Sequence, residues 1–140
     1  YAVQWNIIPM PKNAGVLSEE ELKSAEAESI LKLLKKEDYL ILLDERGKQI
    51  NSIELADFLQ QRANESIKNL VFLIGGAYGV SNEVSQRANY KWSLSALVFP
   101  HQLVRLILAE QLYRACTIMR NEKYQNDGHE RFRLIVQQKS

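Results

Sequence analysis

The chain has 140 residues, and 46% of them are hydrophobic, which is enough for one domain with its own core. The net charge of +1 excludes a strongly acidic or basic protein, and the single cysteine excludes an internal disulfide and fits a reducing, cytoplasmic compartment. No apolar run is as long as a membrane span, so we expect no membrane segment.

A strand and a helix are predicted first. Val3–Ile8 is a short apolar run that two prolines end, and residues 12–17 are expected to form a loop. Ser18 and the three glutamates that follow it are typical of a capping box with an acidic first turn, so we expect a helix from there to about Lys36.

A second strand and helix follow. The apolar run Tyr39–Leu43 predicts a strand buried on both faces, which the turn-like residues 44–47 are expected to end. Ser52 is the expected cap of a helix that ends near Asn64. This alternation favours βαβ units and a mainly parallel sheet.

The third predicted strand, Leu70–Ile74, ends in a turn with Gly75, Gly76 and Gly79, half of the six glycines of the chain. Glycine lets the backbone approach a ligand closely, and open α/β sheets usually bind ligands at such turns. The spacing is not that of a dinucleotide-binding GxGxxG turn, so a plain strand-to-helix turn stays the alternative.

A short helix at 81–89, a fourth strand at Ala96–Phe99 and a long helix from Pro100 to about Asn121 complete the prediction. Apolar residues cover more than one side of the long helix between positions 103 and 119. Such a helix must be buried on more than one side, which favours a homodimer over a well-covered core helix.

Charge is unevenly distributed along the chain. Residues 1–83 carry nine lysines and arginines against thirteen acidic residues, whereas residues 84–140 carry nine against four. The basic half favours a phosphate-bearing partner such as RNA, with chance asymmetry as the alternative.

The expected chemistry lies where strand ends meet, because no metal-ligand spacing and no nucleophile motif stands out. In a parallel sheet the ligand crevice lies beyond the carboxyl ends of the strands. Leu43, the pair Gly75–Gly76 and the segment Leu94–Phe99 are the candidates for that edge. Backbone groups and apolar side chains of this kind suit a flat heteroaromatic group such as adenine.

Three sequence blocks carry a resemblance to a known family. They are Leu-Ile-Gly-Gly-Ala-Tyr-Gly at 73–79, Trp-Ser-Leu-Ser-Ala-Leu-Val-Phe-Pro-His-Gln-Leu-Val-Arg at 92–105, and Ala-Glu-Gln-Leu-Tyr-Arg-Ala at 109–115. In this order and spacing the chain resembles the RlmH family of SPOUT-class methyltransferases. The resemblance implies one α/β domain over residues 1–140, with a trefoil knot at about 70–124 and a variable tail at 125–140.

The resemblance also implies a function. The expected reaction is methylation of N3 of a pseudouridine in the large-subunit ribosomal RNA of assembled ribosomes, by a homodimer that uses S-adenosylmethionine and no metal. Arg114 would hold a phosphate or the target base, and Tyr124 would orient that base during methyl transfer. The implied cofactor contacts are Leu43, Gly75, Gly76, Leu94, Ser95, Ala96, Leu97, Val98 and Phe99.

Two departures from the family pattern leave an alternative open. Family members usually begin with a strand and helix before the segment seen here, so the sequence is expected to be a fragment. The family also tends to end after a Tyr-His pair, where this chain has Tyr124 and Gln125 and a tail with strand character at 131–136. The alternative function is a catalytically weakened homologue that binds RNA or ribosomes. A nucleotide-binding dehydrogenase is a poorer third hypothesis, because the GxGxxG turn is missing.

Overall fold

The computed structural model describes residues 2–76, 78–121 and 131–137, which form a parallel sheet with helices on both faces. The five described strands lie side by side in the order β1-β5-β3-β2-β4. They are β1 (Ala2–Ile8), β2 (Tyr39–Gln49), β3 (Asn69–Ile74), β4 (Tyr90–Ser93) and β5 (Arg131–Gln137). The described α-helices are α1 (Glu19–Leu33), α2 (Ser52–Asn64), α3 (Asn82–Arg87) and α4 (His101–Asn121).

The helix starts follow from local capping. Ser18 Oγ accepts the backbone N–H of Glu21 at 3.2 Å, and Glu21 Oε1 accepts the backbone N–H of Ser18 at 3.0 Å, which confirms the predicted capping box of α1. The prediction that Ser52 caps α2 is wrong, because Asn51 forms a capping box with Glu54. Ser52 is instead the first helical residue, and its hydroxyl donates a hydrogen bond to Gln111 of α4 at 2.6 Å.

The predicted end of β2 at residues 44–47 is also wrong. β2 continues to Gln49 because the pairing with β4 shifts at a bulge, so that both Leu43 and Lys48 lie opposite Trp92. Gly47 permits this shift, since a Cβ atom there would lie 2.7 Å from the carbonyl of Lys91.

The fourth strand is Tyr90–Ser93, and the prediction of a strand at Ala96–Phe99 is wrong. Ser93 Oγ donates to the carbonyl of Ser95 at 2.9 Å, and Ser95 Oγ accepts the backbone N–H of Leu97 at 3.0 Å. These local bonds compete with strand pairing, and the chain therefore leaves the sheet before the apolar segment.

The segment with strand character near the C-terminus forms β5, between β1 and β3. Its apolar side chains, among them Phe132 and Leu134, are fully buried. Arg133 also makes a 3.3 Å ion pair with the buried Asp38. The strand is therefore part of the core. Residues 122–124, the last of the predicted knot region, lie outside the described residues.

Two cores hold the sheet between its helices. On one face Phe72 makes edge-on contacts with Trp92 and Phe132, and the helices α2 and α4 cover this cluster. On the other face Ile30 of α1 and Val84 of α3 pack on Leu40, Leu42 and other strand residues. No helix in the described part of the chain is long and apolar enough to cross a membrane.

Candidate functional site

A cavity of about 440 Å³ opens at the carboxyl edge of the sheet. The ends of β2, β3 and β4, the glycine turn after β3 and the start of α4 form its walls. Eight of the nine predicted cofactor contacts line it, namely Leu43, Gly75, Gly76, Leu94, Ser95, Leu97, Val98 and Phe99. Ala96 lies exposed in the same loop and is not among the lining residues.

The conformation of the glycine turn is explained by backbone and side-chain contacts within the chain. Gly79 has a φ of +80°, which favours glycine, and its N–H donates to the carbonyl of Gly76 at 3.2 Å. A Cβ atom on Gly75 would lie 2.8 Å from Val80 Cγ1, and one on Gly76 would lie 2.6 Å from Glu26 Oε2. The first two glycines therefore make room for neighbouring side chains.

The cavity has an acidic rim formed by Asp44 and Glu45. Burial raises the pKa of Asp44, but hydrogen bonds from the Arg46 side chain and backbone outweigh it, so that the pKa lies below its ordinary value. The Arg46 Nε and Nη2 atoms each lie 3.2 Å from an Asp44 oxygen. Asp44 is therefore ionised and held in place at the mouth of the cavity.

Sequence reasoning missed several side chains of the cavity wall, among them Tyr78, Trp92 and His101. Trp92 is buried against Phe72 and also lines the cavity. The available signal was the position of Trp92 at the carboxyl end of a strand. No cluster of three or more metal-ligating side chains occurs in the part of the chain that the structure describes.

Of the two residues predicted to act in methyl transfer, the structure describes only Arg114. Arg114 lies on the exposed side of α4, where its Nε donates to Glu110 Oε1 at 2.9 Å, and this contact raises the pKa of Arg114. Arg114 does not line the cavity of its own chain. Tyr124 lies outside the described residues, as does Gln125.

A second, apolar cavity of about 350 Å³ lies between β1, β5 and α4. Cys116 lines it, and burial raises the pKa of its thiol, an effect that Arg120 partly offsets. Three of its lining residues, Val3, Trp5 and Tyr113, are exposed apolar side chains. The exposed Ile7 lies on the same side of β1 as Val3 and Trp5, and the exposed Leu106 lies two turns before Tyr113 on α4. These five residues are called the apolar face.

Comparison with known proteins decides the family. The sequence family described as "Predicted SPOUT methyltransferase" matches residues 1–125. The chain belongs to this family. Its α/β sheet is consistent with a SPOUT methyltransferase, whereas the knot stays a prediction.

Relatives within the SPOUT methyltransferases include proteins from Christiangramia forsetii and Cytophaga hutchinsonii. The first is 48% identical over 86% of this chain and 77% of its own length. The second is 50% identical over 84% of this chain and 75% of its own length. A third, from Parabacteroides distasonis, is 45% identical over 89% of this chain and 79% of its own length. All three are named Ribosomal RNA large subunit methyltransferase H. The resemblance to the RlmH family and the expectation of a ribosomal RNA methyltransferase are thereby confirmed, and the weakened homologue is not favoured.

Proposed function

We propose that the chain transfers a methyl group from S-adenosylmethionine to N3 of a pseudouridine in the large-subunit ribosomal RNA of assembled ribosomes. Family membership supports the reaction class, and the names of the relatives support the RNA. The single observation that carries the cofactor assignment is the cavity at the carboxyl edge, which collects eight of the nine expected contacts. Open parallel sheets bind ligands at this edge.

The cavity suits the cofactor in size and chemistry. Its volume of about 440 Å³ lies within the range of small-molecule sites, roughly 300–1,000 Å³. Leu97, Val98 and Phe99 offer apolar surface to an adenine, and the turn backbone offers hydrogen bonds. The ionised Asp44 has the charge that a cationic ligand needs at the mouth. When bound, S-adenosylmethionine supplies a methyl group on a positively charged sulfur.

Arg114 and Tyr124 are assigned to the RNA. N3 of the pseudouridine must lose its proton and lie in line with the methyl group, and this is chiefly a matter of positioning. The guanidinium of Arg114 can hold a phosphate or the base through paired hydrogen bonds. Because Arg114 is exposed and does not line its own cavity, it is assigned to the cavity of a second chain.

A homodimer is the proposed assembly, and the apolar face supports it. Leu106 and Tyr113 on α4 are 66% and 72% exposed, and β1 adds three further apolar side chains. Exposed apolar residues gathered on one face are typical of a protein–protein interface. A second copy packed there would cover α4 on its outer side, as its apolar circumference predicts.

The RNA is proposed to bind the basic part of the chain from residue 84 onward, across both subunits. Arg87, Lys91, Arg105 and Arg120 belong to this part in addition to Arg114. They are spread along the chain and form no dense patch, so one subunit offers few phosphate contacts. Two subunits together would offer a larger basic surface for the ribosome.

Two measurements test the proposal. Calorimetry should show binding of S-adenosylmethionine to the purified chain. Radioactive methyl transfer should then occur on ribosomes that lack the modification, and much less on the protein-free RNA, with mapping of the methyl group to N3 of one pseudouridine. Binding without any transfer to ribosomes would support the weakened homologue instead, and no binding would refute the cofactor assignment.

A further inference from the structure

Glu26 is a buried acidic residue that the proposed reaction does not use. It is 4% exposed, and it lies on α1 in one row with the buried Leu22 and Ile30. Helix packing alone predicts an apolar residue at this position. Burial raises the pKa of Glu26, because the carboxylate loses its hydration there. A carboxyl group is therefore unfavourable at this buried position of α1. Its contacts indicate what it does there.

The Glu26 carboxyl lies directly against Gly76. An ideal Cβ atom on Gly76 would lie 2.6 Å from Oε2, 2.8 Å from Oε1 and 3.0 Å from the carboxyl carbon. Real Cβ atoms essentially never approach other heavy atoms so closely. A side chain at position 76 would therefore displace the Glu26 carboxyl from the turn.

Gly76 connects this contact to the cavity. It is buried, it lines the cavity, and its carbonyl accepts the N–H of Gly79 at 3.2 Å. A turn that contains three glycines has many accessible backbone conformations, so an external contact is needed to select one. The side chain of Glu26, which projects from α1 and is buried against the turn, is such a contact.

We propose that Glu26 is a positioning residue that holds the glycine turn in the conformation that binds the methyl donor. The inference rests on the proposed function, since it concerns the same cavity. The reach of the carboxyl to Gly76 matters, and its negative charge does not. With a shorter side chain at position 26, the turn is free to move. Binding of the methyl donor must then order the turn, which lowers the affinity.

Two substitutions separate reach from charge. Glu26→Asp keeps the carboxyl and withdraws it by one methylene, and it should weaken binding of S-adenosylmethionine by about tenfold. Glu26→Gln keeps the reach and removes the charge, and its affinity should stay close to that of the unaltered chain. Affinity for ribosomes should not change in either variant. Equal affinity of the unaltered chain and Glu26→Asp for S-adenosylmethionine would overturn the proposal.

A double variant tests whether the contact acts through Gly76. Gly76→Ala alone should weaken binding because its Cβ meets the carboxyl, and Glu26→Asp should restore part of the loss by making room. Gly15→Ala is the matched control, since a Cβ atom there meets nothing within 4 Å. Losses that simply add in the double variant would contradict the proposal.

The outcomes also distinguish this inference from the proposed function. If the unaltered chain does not bind S-adenosylmethionine in the calorimeter, the cofactor assignment itself is wrong. If the unaltered chain binds it and Glu26→Asp binds it equally well, the assignment stands and the role of Glu26 falls. Circular dichroism and thermal unfolding of each variant confirm that a loss of affinity does not come from a loss of fold.

Discussion

Single residues at the cavity have roles that differ from what their types suggest. Gly79 alone has a positive φ, whereas Gly75 and Gly76 provide space for Val80 and Glu26. Asp44 belongs to a sequence with the composition of a turn, where acidic residues are usually only solvated, yet it lies in β2 and Arg46 holds it beside the cavity. The sequence indicates which residues lie at the cavity, and the side chains in contact with them determine their roles.

Gly75→Val should disturb the turn through Val80. Its Cβ atom would lie 2.8 Å from Val80 Cγ1, and overpacking of this kind costs about 1–3 kcal/mol of stability. We expect a lower melting temperature and an affinity for S-adenosylmethionine reduced by about tenfold or more. Gly15→Val, in open space, is the control for the loss of a glycine. Unchanged affinity in a folded Gly75→Val protein would refute the placement of the cofactor.

Glu26→Gln should change how stability depends on pH. Because the pKa of Glu26 is raised in the folded state, the folded chain binds this proton more tightly than the unfolded chain. The contribution of the protonated carboxyl to the free energy of unfolding is complete at pH values below 4.5, the pKa of Glu26 in the unfolded chain. This contribution is lost as the pH rises through the higher pKa of Glu26 in the folded chain. The variant should therefore gain free energy of unfolding over the unaltered chain between about pH 4 and pH 7. Urea unfolding across this range measures it, and a gain at low pH only would contradict the expectation.

At the scale of elements, β5 is bound to the rest of the sheet by more than strand pairing. The Asp38 carboxyl is fully buried between the connection of α1 to β2 and β5, where it contacts Arg133 at 3.3 Å and the backbone N–H of Lys35 at 2.9 Å. At the other end of the strand, Gln137 Nε2 donates to the carbonyl of Ile8 at 3.3 Å. These contacts hold β5 in its register.

Asp38→Ala should destabilise the fold strongly. The substitution leaves Arg133 partly buried without its carboxylate, a change that costs about 3–5 kcal/mol in buried pairs. Glu28→Ala removes the exposed ion pair with Lys32 and should cost at most about 0.5 kcal/mol. Chemical denaturation of both variants compares the two values, and similar losses would show that the Asp38 contact contributes little.

For the molecule as a whole, the main point is that the exposed Arg114 does not line the cavity of its own chain. In the proposed dimer, the apolar face around α4 would contact the second copy, and that copy would bring a guanidinium to the cavity. Oligomeric state and activity are therefore expected to change together.

Leu106→Glu should dissociate the dimer without unfolding the chain. Leu106 is exposed in the single chain, so a charge there costs little until a second apolar face covers it. Sedimentation at micromolar concentration should give the mass of a monomer, with an unchanged circular dichroism spectrum. Ile53→Glu, at an exposed position on α2, should leave the dimer intact. A monomeric unaltered chain would refute the assembly.

Mixed dimers should recover activity that each parent lacks. Arg114→Ala removes the guanidinium, and Gly75→Val disturbs the cavity. A dimer with one chain of each kind has one cavity that is intact and faces an intact Arg114 from the other chain. We expect methyl transfer in the mixture at a fraction of the unaltered rate, and none in either variant alone. An inactive mixture with proven subunit exchange would place Arg114 at the cavity of its own chain.

Elements that depend on local chemistry could be predicted from the amino-acid sequence. The capping box at Ser18 and the apolar runs of the strands are set by residues close in the chain, and the glycines after β3 mark the position of a turn. The three blocks at 73–79, 92–105 and 109–115 were enough to identify the family. Eight of nine expected contacts meet in one cavity because strand ends in a parallel sheet share an edge.

Features that depend on contacts between distant residues appear only in the folded chain. The apolar segment Ala96–Phe99 has the composition of a strand, yet it is Tyr90–Ser93 that pairs with β2. A strand needs a neighbouring strand to pair with, and the hydrogen bond from the Ser93 hydroxyl directs the chain out of the sheet before Ala96. The same holds for β5, whose place between β1 and β3 depends on residues far away in the sequence. In the sequence, Glu26 is one of several glutamates on a helix rich in acidic residues. Only the folded chain brings its carboxyl against Gly76, because the two residues are fifty positions apart.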